Sequence, residues 1–153
     1  MKNFIATAIL LAATPVFAVS WKVYGPCSEK PVHEGKVPMK KFDTSVGAFS
    51  VQVFEDNKIP YIGSEEGFNS IIGTPTDRGS IEIVSKDELR AYGWCYSVNG
   101  QFPEQMPNEV FFTENNAELV WFYAYSTVKN NQWQEDYCTP AYNIKATQFC
   151  GKK

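Results

Sequence analysis

Four cysteines and one histidine are the side chains best suited to chemistry in this sequence, and their spacing narrows what they can do. Cys27, Cys95, Cys138 and Cys150 include no closely spaced pair, and His33 lies in a Pro-rich stretch. Structural zinc sites draw their ligands from closely spaced Cys and His pairs, so no metal site is expected. Nucleophilic catalysis of the Ser-His-Asp or Cys-His kind needs a histidine beside the nucleophile, and His33 reads as a solvated loop residue. Glycoside hydrolysis needs two carboxylates held across the scissile bond. Glu104, Glu109, Glu114 and Glu118 qualify by type, but no spacing selects two of them. For the thiols, an even count in an exported chain points to two disulfides. Four cysteines allow three pairings and the sequence does not choose among them; the favoured one joins Cys27 to Cys150, tying down the two ends, and Cys95 to Cys138.

The densest chemistry lies in Ala91 to Gly100, "AYGWCYSVNG". In a strand, Trp94, Tyr96 and Val98 share one face and Cys95 and Ser97 the other, while Asn99-Gly100 supplies a turn that needs positive backbone angles. Leu119, Trp121, Tyr123 and Tyr125 form a second row on one face. Core packing is the first explanation for Trp121 and Tyr123, whereas Tyr96 and Tyr125 fit equally well a platform for a flat ligand, a sugar or a peptide. The loop after the turn, "QFPEQMPNE", presents Phe102 and Met106 between prolines, and loops of this kind often carry function on a rigid scaffold. The candidate ligand-binding residues are therefore Tyr96, Asn99, Phe102, Met106, Trp121 and Tyr125.

These residues need a compartment and a frame. The opening "MKNFIATAILLAATPVFA" has one basic residue, a short apolar run and small residues before Ala18, the pattern of a signal peptide cleaved after Ala18. The apolar run is too short for a stable membrane span. The expectation is a soluble periplasmic or extracellular protein that does not insert into the membrane once cut. Removing 18 residues from 153 leaves 135, enough for a single domain of ordinary size. Without Lys2, 13 basic residues face 17 acidic ones, which argues against nucleic-acid or electrostatic membrane binding. No cofactor motif is present, and the sequence is silent on oligomeric state.

Residues 19–45, with Pro26, Pro31, Gly35 and Pro38, read as an N-terminal arm pinned by Cys27, and residues 46–150 as a single domain. Alternation of Phe49, Val51 and Val53 predicts a strand from Ala48. Ile59 to Ile62 predicts a short edge strand, because Pro60 cannot donate to a ladder. "SEEGFNSIIGTP", Ser64 to Pro75, predicts the main helix, with Ser64 as cap and Phe68, Ile71 and Ile72 on one face. Strands are expected at Ile81 to Val84, Trp94 to Val98, Glu109 to Thr113 and Leu119 to Ser126, the last central. Gln132 to Tyr137 is expected to return as a hairpin. Many strands around one helix make an α+β fold.

This order, with Trp94, Tyr96, Val98, Asn99 and Gly100 followed by Trp121 and Tyr123, resembles the transcobalamin-like C-terminal domain, over roughly Phe49 to Ser126. The resemblance implies a β-grasp-like mixed sheet packed on one short helix, here with disulfide-stapled N- and C-terminal extensions, and a role in binding rather than catalysis. Vitamin B12 carriers place cobalamin between this domain and a larger helical one, which this chain lacks. The turn at Glu114-Asn115-Asn116 also departs from the family's Gly-Asp, so cobalamin is not the expected ligand. The expectation is a non-enzymatic binding module for a small molecule, glycan or protein partner. The alternative is a structural or inhibitory protein-protein interaction domain of the cell envelope, acting through Asn99 to Asn108; a small carboxylate-based hydrolase comes third.

Overall fold

The computed structural model describes residues 17–39 and 43–151; residues 1–16, most of the expected signal peptide, lie outside the described residues. The main sheet is built on two long strands, β6 (Glu88–Val98) and β7 (Glu118–Lys129), paired antiparallel with Tyr96 opposite Trp121 and Trp94 opposite Tyr123. On the other side of β7, strand β1 (Phe17–Tyr24) runs parallel to it, and β2 (His33–Met39) pairs antiparallel with β1. With β5 (Ile81–Ile83) at the far edge of β6, the order is β2-β1-β7-β6-β5. Two short strands, β8 (Gln132–Trp133) and β9 (Thr139–Pro140), pair with the far half of β7. The fold is α+β, mostly a mixed sheet, with an eleven-residue helix α1 (Val46–Asp56) and a one-turn helix α2 (Thr147–Cys150).

Four expectations change here. Residues 19–45 are not an arm: they supply β1 and β2, and Val19, Trp21 and Val23 alternate into the core with 4% exposure or less. The prolines and glycines masked a period-two pattern, which a parallel strand beside β7 then buries.

The strand expected from Ala48 is the helix α1. Ser45 caps it by accepting a hydrogen bond from the Ala48 amide, and Val46, Phe49, Ser50 and Val53 are buried at the spacing of one helical face. Phe49, Val51 and Val53 satisfied an alternating pattern over too few residues to exclude the 3.6 period.

The helix expected over Ser64 to Pro75 is instead a hairpin of β3 (Tyr61–Ser64) and β4 (Gly67–Ile71). Gly63 and Gly67 hold φ of 150° and 153°, values closed to other residues, and place Glu65-Glu66 at the turn. A side chain on Gly63 would lie 2.3 Å from the Gly67 carbonyl oxygen. Edge strand β3 starts directly after Pro60, near its expected place. Glu109 to Thr113 forms only an isolated bridge, Phe111 with Ser45.

One face of the sheet carries the aromatic rows, and three elements cover it. Helix α1 and the hairpin pack Phe49, Val53, Phe54 and Phe68 over Trp21, Leu119, Trp121 and Tyr96. The C-terminal segment covers the other end, where Phe149 sets its ring edge against Tyr92 and Tyr123. The disulfides join Cys27 to Cys150 and Cys95 to Cys138, the pairing favoured from sequence, and close loops of 123 and 43 residues. Such bonds fit an oxidising, non-cytoplasmic compartment. Among the described residues, no helix is long and apolar enough to cross a membrane.

Candidate functional site

The edge of β6 distant from β7 opens into a cleft of about 990 Å³. Hairpin β3-β4 forms one wall through Gly67 and Phe68, the loop from Phe102 to Pro107 forms another, and Trp94 and Tyr96 form the floor. Tyr137 and the Cys95–Cys138 disulfide close the back.

Each wall is held by a specific bond. The Tyr96 hydroxyl donates to the Gln105 carbonyl at 2.8 Å, anchoring the loop to the strand. Burial, with the nearby Glu109 carboxylate second, pushes its pKa up to about 12, so this phenol remains a neutral donor at physiological pH. Trp94 Nε1 donates to Thr74 Oγ1 at 2.8 Å, tying the strand to the segment after the hairpin. Phe102 sets its ring at right angles to Phe122, with centroids 5.8 Å apart. Even so, Phe102 and Met106 remain 63% and 60% exposed, an apolar tip held by a fixed base.

The structure brings four of the six expected binding residues, Tyr96, Phe102, Met106 and Trp121, to this cleft. Their exposures differ sharply, because Trp121 and Tyr96 are 2% and 9% exposed and serve mainly as core. Asn99 stands outside: at φ of 51° it forms the turn, and its Oδ1 accepts from the Glu118 amide at 2.7 Å. Tyr125 stands outside too: its ring lies on the aromatic face, tilted against Tyr92 with centroids 6.1 Å apart, and only its backbone borders a second, smaller groove of about 410 Å³ on the opposite face of the sheet. There Ala91, Gly93, Ala124 and Ser126 make a flat floor, flanked by the exposed rings of Trp133 and Tyr137. The hairpin wall was missed because Ser64 to Pro75 reads as a helix; the flanking glycines of "GSEEG" were the signal for a turn.

The groups suited to catalysis are dispersed. All four thiols are oxidised, and His33, expected in a solvated loop, opens β2 opposite Val23 and is partly buried. Glu118 pairs with Lys22 at 2.7 Å, Glu109 accepts from the Met106 amide at 3.2 Å, and Glu114 accepts from the side-chain Nδ2 of Asn99 at 3.4 Å. Glu104 lines the cleft, where the other charged residue is Glu66. Among the described residues, no group of three His, Cys, Asp or Glu side chains is placed to hold a metal ion.

No family model and no curated protein matches this chain. Among solved structures, it is similar to a candidate metal-binding protein from Ruminococcus gnavus ATCC 29149, at 11% identity over 69% of this chain and 95% of that one. The TM-score of 0.37 is too low to transfer a fold or a ligand.

Proposed function

We propose that this chain is an exported, non-enzymatic binding module that holds its ligand in the cleft along β6. The observation that carries this is the construction of the cleft: an exposed apolar loop tip, Phe102 and Met106, fastened to a rigid strand through Tyr96. Rigid support with an accessible apolar tip is the arrangement expected of a binding site. The two strands that carry the resemblance to the transcobalamin-like C-terminal domain, with its implied β-grasp relationship, support the same conclusion by pairing Trp94 and Tyr96 with Tyr123 and Trp121, although the strand and helix expected ahead of them exchange places. The dispersal of catalytic groups supports it too. On this proposal the signal peptide is removed after Ala18 and the protein acts in the periplasm or the medium.

The test is retention of ligands from peptide, glycan and metabolite panels by the purified oxidised protein. Replacing both Phe102 and Met106 with Ser removes retention while leaving the unfolding temperature within a few degrees, since neither side chain is buried. Failure of the unaltered protein to retain anything, or full retention by the double variant, overturns the proposal.

A further inference from the structure

The hydrogen-bond pattern of β6 specifies what the cleft can hold. The Asn99 amide donates to the Glu118 carbonyl at 2.8 Å, so the odd-numbered residues of β6 turn their backbone groups toward β7 and the even-numbered ones turn away. Val98 obeys this, exchanging two bonds of 2.9 Å with Gln101, and Glu88 accepts from the Val84 amide on the β5 side. The ladder with β5 ends at Ala91 opposite Ile81. Trp94 and Tyr96 lie between these two closures. Their amides and carbonyls face the cleft, and among the described residues no strand pairs with them on that side.

An unpaired strand edge is a template for another extended backbone. Here it is bounded on both sides, by β5 at one end and the Phe102–Pro107 loop at the other, so a long strand cannot add. Side chains of an added strand would alternate between the two walls. One set would meet Phe68 on the hairpin side, and the other Phe102 and Tyr137 on the back. The charged residues lining the cleft are both acidic, Glu66 and Glu104, which gives the edge a preference in charge as well as shape.

We infer that the occupant is a short extended peptide segment bearing a basic side chain, which adds to β6 as a strand opposite Trp94 and Tyr96. This rests on the cleft being the binding site and specifies its ligand. The main-chain bonds supply affinity without regard to sequence, the aromatic walls select apolar residues, and the two glutamates select Lys or Arg. A glycan would engage the rings but has no backbone to complete the ladder.

The experiment uses the oxidised protein with pools of acetylated, amidated hexapeptides carrying Lys or Glu at each position in turn. It reads affinity together with amide hydrogen exchange at Trp94 and Tyr96. The expected result is that Lys pools bind about tenfold tighter than Glu pools, with exchange at both amides slowed. Methylating alternate peptide nitrogens should weaken binding by about tenfold in one register and little in the other. Changing Glu66→Lys and Glu104→Lys, both exposed, should reverse the charge preference. Peptides that bind without slowing exchange at Trp94 and Tyr96, or equally well in every methylated form, overturn the inference. If cello- and chito-oligosaccharides perturb the cleft and no peptide pool does, strand addition is wrong while the binding module stands. If neither class binds but a metabolite is retained, strand addition again fails alone; if nothing from the peptide, glycan and metabolite panels is retained, both fail.

Discussion

The indole of Trp121 on β7 donates a 2.9 Å hydrogen bond to the hydroxyl of Ser50 on α1, 71 residues away. The same hydroxyl donates to the Val46 carbonyl at 2.7 Å, so one buried oxygen links the helix to the central strand. Ser50→Ala leaves the indole N–H buried without an acceptor, which costs about 1–3 kcal/mol. Chemical denaturation should show that loss, and Trp121→Phe in the Ser50→Ala background should cost less than in the unaltered protein. Additive losses would mean that the bond does not couple the two elements.

Gly47 lies on the buried face of α1, where a Cβ would stand 1.9 Å from the Glu65 carbonyl oxygen at the hairpin turn. In an open helix, Gly→Ala stabilises by up to about 1 kcal/mol. Here contact with backbone reverses the sign: Gly47→Ala should lower the unfolding free energy by about 1–3 kcal/mol and displace the hairpin wall of the cleft. A more stable variant would show that α1 and the hairpin are farther apart than described.

The two disulfides should separate stability from binding. In the chain-entropy model, losing the Cys27–Cys150 bond costs about 5 kcal/mol and losing Cys95–Cys138 about 4 kcal/mol. Calorimetry of paired Cys→Ala variants should show both losses. Only the second bond forms part of the cleft, so only its removal should also weaken ligand retention. Equal effects on binding would mean that the back wall does not matter.

Tyr96 should make stability fall in alkali. Its folded pKa, raised to about 12 by burial and then by Glu109, stands above the unfolded value near 10. The stabilising contribution is therefore complete below about pH 10 and is lost as pH rises through about 12, because the unfolded chain releases this proton first. Tyr96→Phe should flatten that part of the pH–stability profile, and ultraviolet titration should show one fewer late-ionising phenol. Tyr92 and Tyr123, also raised by burial, keep ionising later in the variant.

The legible parts of the site were local. Asn99-Gly100 announced its turn, and both residues do hold positive φ. The apolar run from Leu119 announced a central strand, and β7 has partners on both sides. Phe102 and Met106, between prolines, announced an exposed tip. Where helix and strand were exchanged, the window was short: Phe49 to Val53 satisfies either period, and only Ser45 at the cap and burial of Ser50 beneath Trp121 favour the helix. Phe68, Ile71 and Ile72 made the opposite error possible, since spacing by three and four also occurs by chance in a hairpin.

The sequence by itself determined the even set of cysteines, the positions of its strongest turns and the two apolar strands at its centre, because these depend on residue type and near neighbours. Tertiary structure alone decided that β1 lies parallel to β7, that the hairpin stands beside β6, and that the backbone groups of Trp94 and Tyr96 face the cleft with no strand paired to them among the described residues. Those facts depend on which segments meet across 20 to nearly 100 residues of chain. Such meetings are set by the total burial of all segments together, which no local window contains.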